Sequence, residues 1–559
     1  MINLNTLAGQ GYPEDTKDGS CPTDLPQSAR DCAHVPATQH NPASELLPLP
    51  CYPIQHRLMP PLPRSLPRIC VALGSATPSE LGRAAEKEYK DGSTFLEFRL
   101  DYLRDPSPGI NLIRSFHRRY PEAHLLATCR HKQNSGRFTG SVEQQIAILR
   151  DAAKSGAAVL DLEIESAERV TSGLHTLHDS VPLIVSYHNF QNTPALDPVL
   201  RRLRRVPAAA YKIATTACKP SDNLRVLQFA REHRDSPLIA FAMSEIGTPS
   251  RVLAPSLGSL YTYASALDCE STAPGQLSAK MMHTLFRCDK LTRQSRIYGI
   301  IAHPVAHSKS PHIHNRAFQA RRLDAVYIPF LVAASHLSDW MALATKLPVA
   351  GFSVTLPHKQ RILRYLDVVE PTAKRIGAVN TVWRKAGKWR GTNTDTDGVI
   401  KPLTRHLRLP HASILIAGYG GAARAAALAL TDAGARIAIT GRNMRSAQAL
   451  AKAVRAEPIT LKESQIRHFD ALLHATPVGM FPNPNESLFN DVIPARIVFD
   501  MVYNPHETLL LKQAKDQDCT IIHGSDMLLE QAARQFEIWT GESAPRAAMQ
   551  AALEQHVSS

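Results

Sequence analysis

From residue 67 onward the chain alternates short apolar runs with longer amphipathic stretches. Eight such runs recur at near-regular spacing: Ile69–Leu73, Thr94–Leu100, Leu125–Cys129, Val159–Ile164, Leu183–Tyr187, Ala210–Ala214, Leu238–Met243 and Leu260–Ala264. Short, mostly apolar runs bounded by turn signals read as strands buried on both faces. Helix-compatible stretches such as Val142–Ala153 and Ser221–His233 lie between most of them. Eight β-then-α units in ~220 residues predict a (β/α)8 TIM barrel. Further on, the strand Ile297–Ile301 opens a second α/β region. There the strand Ser413–Ala417, a glycine turn, the Ala-rich helix Arg424–Ala433 and the strand Arg436–Thr440 predict a Rossmann domain. The expected fold is therefore α/β: a barrel followed by a two-domain α/β region containing a Rossmann domain.

Composition narrows the function classes. Of 559 residues, 44% are hydrophobic and 20% charged, which are globular values with material for several cores. The net charge of +14 suits solubility or the attraction of anionic metabolites. Its densest cluster, Arg201-Arg202-Leu203-Arg204-Arg205, reads as one exposed helix face. No zinc-finger spacing or RNP-type motif accompanies it, so no nucleic-acid partner is expected. Nine cysteines without any CxxC suit free thiols in a reducing compartment, and no metal site is expected. No apolar run reaches the ~18–20 residues of a membrane helix. Residues 1–66 are rich in Pro, Ser, Thr and Asp, hold no period and read as a disordered Pro-rich extension. They lack the apolar region of a secretory signal, and their acids outnumber their bases, which speaks against a transit peptide. The expected location is cytoplasmic, with the plastid as alternative.

The polar residues interrupting the apolar runs carry the chemistry. Lys212 sits inside Ala210–Ala214, where an ammonium is costly unless paired or lowered in pKa. A lysine brought from ~10.4 to ~7–8 is a useful amine nucleophile. His188, ending the preceding strand, is placed to move the protons that imine chemistry requires. Strand two adds Glu97, Arg99 and Asp101, strand three ends at Arg130, and strand four holds Asp161, Glu163 and Glu165. In a barrel these strand ends converge on one mouth.

The motifs Leu96-Glu97-Phe98-Arg99-Leu100-Asp101, Ala127-Thr128-Cys129-Arg130, Val185-Ser186-Tyr187-His188-Asn189-Phe190, Tyr211-Lys212-Ile213-Ala214, Ser250-Arg251 and Ala273-Pro274-Gly275-Gln276 occur in one order across about 69–285. They resemble type I 3-dehydroquinate dehydratases. The resemblance implies that Lys212 forms a Schiff base with the ring ketone of 3-dehydroquinate. His188 then removes the adjacent proton and protonates the leaving hydroxyl. Arg251 and Gln276 hold the carboxylate and ring hydroxyls, Glu97, Arg99 and Arg130 complete the polar wall, and Thr272 stands where the family often has Ser. One departure matters. The family usually has a glutamate four residues after the strand-three arginine, orienting the histidine, and here that position is Asn134. Asn cannot stabilise an imidazolium as a carboxylate does. Either Glu163 substitutes or the dehydratase is slow.

The second half carries Gly418-Tyr419-Gly420-Gly421-Ala422-Ala423 between a strand and a helix, a GxGxxA turn that brings backbone N–H groups to a pyrophosphate. The next strand ends in Gly441-Arg442, and Arg442 offers positive charge to a 2′-phosphate, which favours NADP. Together with Ser308-Lys309-Ser310-Pro311, Phe352–Lys359, Gly377-Ala378-Val379-Asn380-Thr381, Asn393-Thr394-Asp395, Ala475–Met480, Val502–Pro505 and Gly524–Ala532, these residues resemble shikimate dehydrogenase over about 297–555. The resemblance implies that Ser308 and Ser310 bind the carboxylate, and that Thr355, Asn380, Tyr503 and Gln531 bind ring groups. It makes Lys359, placed by Asp395, the general acid/base. It assigns cofactor contacts to Gly418, Gly420, Gly421, Ala422, Ala423, Thr440, Gly441, Arg442, Met501 and Gly524. His474 replaces the Asn often found before Ala-Thr-Pro.

The implied product of the barrel, 3-dehydroshikimate, is the implied substrate of the second half, whose product is shikimate. The whole chain looks like the fused dehydratase–dehydrogenases of plants and some bacteria. The expected domains are 67–290 for the dehydratase barrel, 297–398 completed by 526–559 for the dehydrogenase substrate domain, and 399–525 for the NADP-binding domain. Rival readings are a shikimate/quinate dehydrogenase fused to a weakly active or inactive barrel, and a non-catalytic quinate-pathway regulator. Retention of Lys212, His188, Lys359 and Asp395 argues against the regulator.

Overall fold

The computed structural model describes residues 60–557 except 171–173, 175–176, 178–180, 268, 270–271 and 490–491. The expected disordered extension falls outside the described residues as far as residue 59. From residue 60 the chain lies against the barrel, with Leu62 and Leu66 packed on its core.

The first region closes on itself. Strands β1 (Ile69–Leu73), β2 (Phe95–Arg99), β3 (His124–Thr128), β4 (Val159–Glu163), β5 (Leu183–His188), β6 (Ala210–Thr216), β7 (Leu238–Met243) and β8 (Thr262–Ser265) run in the order β7-β6-β5-β4-β3-β2-β1-β8. Every neighbouring pair is parallel. β7 approaches the segment entering β8, where Leu260 N donates to Leu238 O at 2.9 Å. The strands are almost wholly buried, and apolar apart from the charges that face the barrel mouth, because both faces are covered, by helices outside and by barrel side chains within. Helix Val142–Lys154 shows how the outer layer starts. Ser141 caps it and Gln144 returns the bond, satisfying two free amides. β8 begins two residues later than the expected Leu260, because Leu260 still lies in the connection and is 42% exposed.

The segment that joins the two regions is bonded to each of them. Arg68 Nη1 donates to Leu291 O at 2.8 Å, and Thr292 Oγ1 donates to Asp324 at 2.9 Å. Outside it, Ser221 N donates to Asp339 Oδ2 at 2.7 Å. The barrel core is continuous with apolar residues of the next sheet, including Ile297, Val326 and Phe352, and with Trp340 on the helix Leu337–Lys346.

That sheet contains β9 (Arg296–Ala302), β10 (Ala325–Leu331), β11 (Val349–Val354), β12 (Val368–Val369), β13 (Thr381–Lys385) and β14 (Lys388–Thr392), in the order β10-β9-β11-β13-β14-β12. β13 and β14 form an antiparallel hairpin turned by Ala386 and Gly387, both at positive φ. The last sheet is parallel: β15 (Ser413–Ala417), β16 (Arg436–Thr440), β17 (Glu457–Pro458), β18 (Phe469–His474), β19 (Ala495–Asp500) and β20 (Thr520–Ile522). Its order, β17-β16-β15-β18-β19-β20, reverses direction between β15 and β18, the point at which such sheets bind ligands. Helix Gly524–Thr540 then returns to the preceding sheet, where Trp539 Nε1 donates to Val382 O at 3.0 Å. Gly351 permits this approach, since a Cβ there would lie 2.7 Å from the Trp539 ring.

Candidate active sites

The C-terminal ends of the barrel strands surround about 350 Å³ of empty space, lined by Glu97, Arg99, Arg130, His188, Lys212, Arg251, Thr272 and Gln276 with Phe190, Phe241, Met243 and Tyr263 among the other walls. All eight dehydratase residues expected from the sequence therefore meet in one place. Lys212 Nζ lies 3.0 Å from Asp161 Oδ2 and 4.1 Å from the centre of the Tyr263 ring. Burial holds Lys212 below its usual value, against the opposing pull of Asp161 and Glu97. Burial alone would raise Asp161, but Lys212, Arg130 and the Ser186 hydroxyl keep it below the ordinary carboxylate range. His188 is pushed far below its usual value by burial and by Arg130, Lys212 and Arg99, which favour the neutral imidazole.

Each remaining wall residue is held by a partner or waits for one. Arg99 makes two bonds to Asp101, at 2.9 and 2.8 Å, and Glu97 accepts from Thr128 Oγ1 at 2.7 Å. Gln276 Oε1 accepts from Thr272 N at 2.9 Å. Arg251 is fully buried, lies over Phe241 and, among the described residues, donates only through Nη2, to Pro274 O at 3.1 Å. Its Nε and Nη1 are buried without a partner, and burial pushes its pKa down to about 9. A guanidinium with two free buried nitrogens is prepared for an anion with two oxygens.

Two sequence readings change here. Glu165 does not join the mouth: β4 ends at Glu163, the chain turns into helix Ile164–Ala167, and Glu165 pairs with Arg202 at 3.1 Å. That pairing, with a second bond from Arg202 to Glu168 at 2.7 Å, also means the arginine cluster is not simply a solvated face, and Leu203 within it is buried. Conversely, Asp161 was noted as a strand residue but not chosen for the site. It is the fully buried counter-ion of Lys212 and Arg130, and its signal was a carboxylate inside the apolar run Val159–Ile164.

In the second region Lys359 Nζ and Asp395 Oδ2 are 2.6 Å apart. Asn380 Nδ2 donates to the other oxygen, Asp395 Oδ1, at 2.7 Å, and Asp395 N donates to Asn393 Oδ1 at 3.0 Å. Asp395 opens helix Asp395–Thr404, where a carboxylate is favoured by the helix dipole. Gln531 stands beside this helix, because Gly398 lets helix Gly524–Thr540 approach within about a Cβ of Gln531 and Met527. Thr355 follows β11, whose end lies next to that of β9, and Ser308 and Ser310 lead from β9 into helix Ser310–Ala320, with Ser310 N donating to Ser308 Oγ at 3.3 Å. Tyr503 follows β19 and is half-buried, and its hydroxyl is raised by burial. Among the described residues it makes no hydrogen bond to the Lys359 cluster.

At the reversal point of the last sheet, about 740 Å³ opens between Gly418, Gly420, Thr440, Gly441 and Arg442 on one side and Ala475, Thr476, Pro477 and Val478 on the other. The groove fits a dinucleotide. Gly418 has φ +129, and a Cβ on it would meet Ala475 O at 2.6 Å, whereas Cβ positions at Gly420 and Gly421 face open space. Helix Gly421–Asp432 starts three residues before the expected Arg424, so its first amides face this gap. Thr440 Oγ1 is buried without a partner, and Arg442 is exposed. Met501 and Gly524 meet just beyond the end of β19, with a Cβ on Gly524 2.7 Å from Met501 O. Ala422 is partly exposed at the helix start, while Ala423 is buried in the core and supports the turn from behind. Tyr419 and Thr476, not chosen from the sequence, also line the groove.

Three family models match the chain. The model for type I 3-dehydroquinase matches residues 69–293, that for the shikimate dehydrogenase substrate binding domain matches 300–382, and that for the shikimate 5′-dehydrogenase C-terminal domain matches 524–554. The chain is 32% identical to the chloroplastic bifunctional 3-dehydroquinate dehydratase/shikimate dehydrogenase of Arabidopsis thaliana, covering 86% of this chain and 83% of the relative. It is 37% identical to the shikimate dehydrogenase (NADP(+)) of Shouchella clausii, covering 48% of this chain and 100% of the relative. A crystal structure of a shikimate dehydrogenase in complex with NADP+ is 36% identical over 48% of this chain and 98% of its own, with a TM-score of 0.47.

Proposed function

The chain belongs to the family of bifunctional 3-dehydroquinate dehydratase/shikimate dehydrogenases, and from that premise we propose how its residues divide the work. In the barrel, the Lys212 amine attacks the ring ketone of 3-dehydroquinate and water leaves, giving an iminium. The iminium draws electrons from the neighbouring carbon, and neutral His188 takes that carbon's proton. The resulting enamine expels the ring hydroxyl, to which His188 returns the proton. Hydrolysis of the iminium frees 3-dehydroshikimate and Lys212. Arg251 clamps the substrate carboxylate through its two unpaired nitrogens.

In the second site, Asp395 and Asn380 orient Lys359, which gives its proton to the ketone oxygen of 3-dehydroshikimate. Ser308 and Ser310 take the carboxylate, and Thr355, Tyr503 and Gln531 position the ring. Gly418, Gly420, Gly421, Thr440 and Arg442 would hold NADP(H), which supplies the hydride when bound. The exposed guanidinium of Arg442 suits the 2′-phosphate.

The observation that carries this reading is Lys212, a buried amine with a depressed pKa in one cavity with a neutral histidine and an unpaired arginine. The experiment supplies 3-dehydroquinate and NADPH to wild type, Lys212→Ala and Lys359→Ala, following enone formation and cofactor loss. Lys212→Ala should abolish enone formation and borohydride trapping yet still reduce added 3-dehydroshikimate. Lys359→Ala should do the reverse. A wild-type protein that traps no adduct refutes the barrel mechanism. The compartment proposed is the cytoplasm, and import of the full chain by isolated chloroplasts would assign it to the plastid instead.

A further inference from the structure

His188 becomes an imidazolium in mid-reaction, surrounded by Arg99, Arg130 and Lys212. Such a cation needs a carboxylate on its second nitrogen. Asp101 is occupied by Arg99, and Asp161 by Lys212, Arg130 and Ser186. Glu97 stands on β2, three strands from His188. Glu163 differs from these. Its Oε1 accepts four bonds, from His131 N at 3.0 Å, Asn134 Nδ2 at 3.2 Å, Gln145 Nε2 at 3.0 Å and Ser166 Oγ at 3.1 Å, while its Oε2 is buried without any partner. His188 Nδ1 is likewise buried without a partner.

The strand register relates these two orphans. Ser186 on β5 donates to Asp161 on β4 at 2.7 Å. Glu163 and His188 each lie two residues further along the same strands, so they repeat that diagonal one level nearer the mouth, on the same strand faces. We propose that Glu163 is the positioning residue of the barrel, its Oε2 accepting a hydrogen bond from Nδ1–H of His188 during the reaction while Asn134 and its neighbours anchor Oε1. Asn134 then serves catalysis indirectly: its amide donates to a carboxylate already present, where an acid at 134 would stand beside Glu163 as a second negative charge.

This inference rests on His188 as the barrel's base, and trapping at Lys212 checks that reading separately. Glu163→Gln keeps an acceptor for the Oε1 bonds but turns an NH2 toward Nδ1. That moves the imidazole proton to Nε2, the nitrogen that must act as base. We expect dehydratase kcat to fall by about 10²-fold or more, with KM changed far less and borohydride trapping of Lys212 retained. The acid limb of kcat/KM should move to lower pH, because removing a negative neighbour lowers the histidine's proton affinity. Glu163→Gln/Asn134→Glu, which returns a carboxylate from the adjacent position, should recover at least about tenfold of the loss. NADP-dependent oxidation of shikimate by the same chain reports that the protein is folded. Dehydratase kcat within about threefold of wild type in Glu163→Gln overturns the inference. So does a fall in kcat with an unmoved pH profile and no recovery in the double variant.

Discussion

Replacing Asp161 by Asn removes a charge while keeping the side chain's shape, and leaves the Lys212 ammonium 3.0 Å from a neutral amide. At that separation and an effective dielectric constant of about 20, the lost attraction is on the order of 5 kcal/mol. Breaking one partner of a buried pair typically costs about 3–5 kcal/mol after relaxation. Lys212 escapes part of the penalty by releasing its proton. Burial already depresses it, with Asp161 and Glu97 opposing, so without Asp161 its folded value falls further. The sign follows. A base with a depressed folded value binds its proton more tightly in the unfolded chain, so stability is greatest at high pH and is lost as pH falls below the unfolded value of ~10.4. The stability deficit of Asp161→Asn therefore grows from pH 9 to pH 6. Imine chemistry responds oppositely. More of the amine is neutral, so the acid limb of borohydride trapping moves to lower pH. Thermal unfolding at the two pH values and trapping rates across the range measure both, with shikimate oxidation as the control. An unmoved trapping profile together with an unchanged pH 9 to pH 6 stability difference would refute the electrostatic account of Lys212.

Two further predictions concern the second region. Arg442→Ala should raise KM for NADPH about tenfold or more and leave that for NADH nearly unchanged, since a hydrogen bond to a charged group contributes about 1.5–3 kcal/mol; steady-state kinetics with both cofactors decide it. His314, stacked on Tyr327 and bonded to Gln535 Oε1 at 3.3 Å, is pushed down to about 3 by burial. Its unfolded form takes up a proton near pH 6.5 and its folded form does not, so this group's contribution is lost as pH falls from about 6.5 toward 3, on the order of 3 kcal/mol by pH 4. His314→Phe should show a shallower decline in denaturation midpoint from pH 7 to pH 4, and a decline parallel to wild type would count against it.

The barrel was legible in the sequence because its strands are covered on both faces, which leaves unbroken apolar runs and makes each interrupting charge conspicuous. Lys212, His188 and Arg130 were readable for that reason, whereas Arg251, on the helix Thr248–Leu257, was legible only through the resemblance of Ser250-Arg251. Which charges pair was not readable, because the partners of Asp161 lie just after β3 and on β5 and β6, and register fixes them only in three dimensions. Glu165 was misplaced by extending the strand's two-residue period past Glu163, where the chain turns helical. The effect of Asn134 was visible as a missing carboxylate but not as a donor to Glu163, since that bond spans 29 residues. In the second region the glycine turn was plain, whereas Tyr419 and Thr476 entered the groove only through the packing of neighbouring strands.

The apolar core that runs without a break from the barrel to Phe352 on the next sheet and Trp340 on the helix beside it couples the two catalysts in stability. Cutting the chain near residue 293 would leave each fragment with a raw oily flank where it now has a neighbour. The fusion is thus a weld rather than a leash: a substitution that loosens one catalyst at this seam is felt by the other.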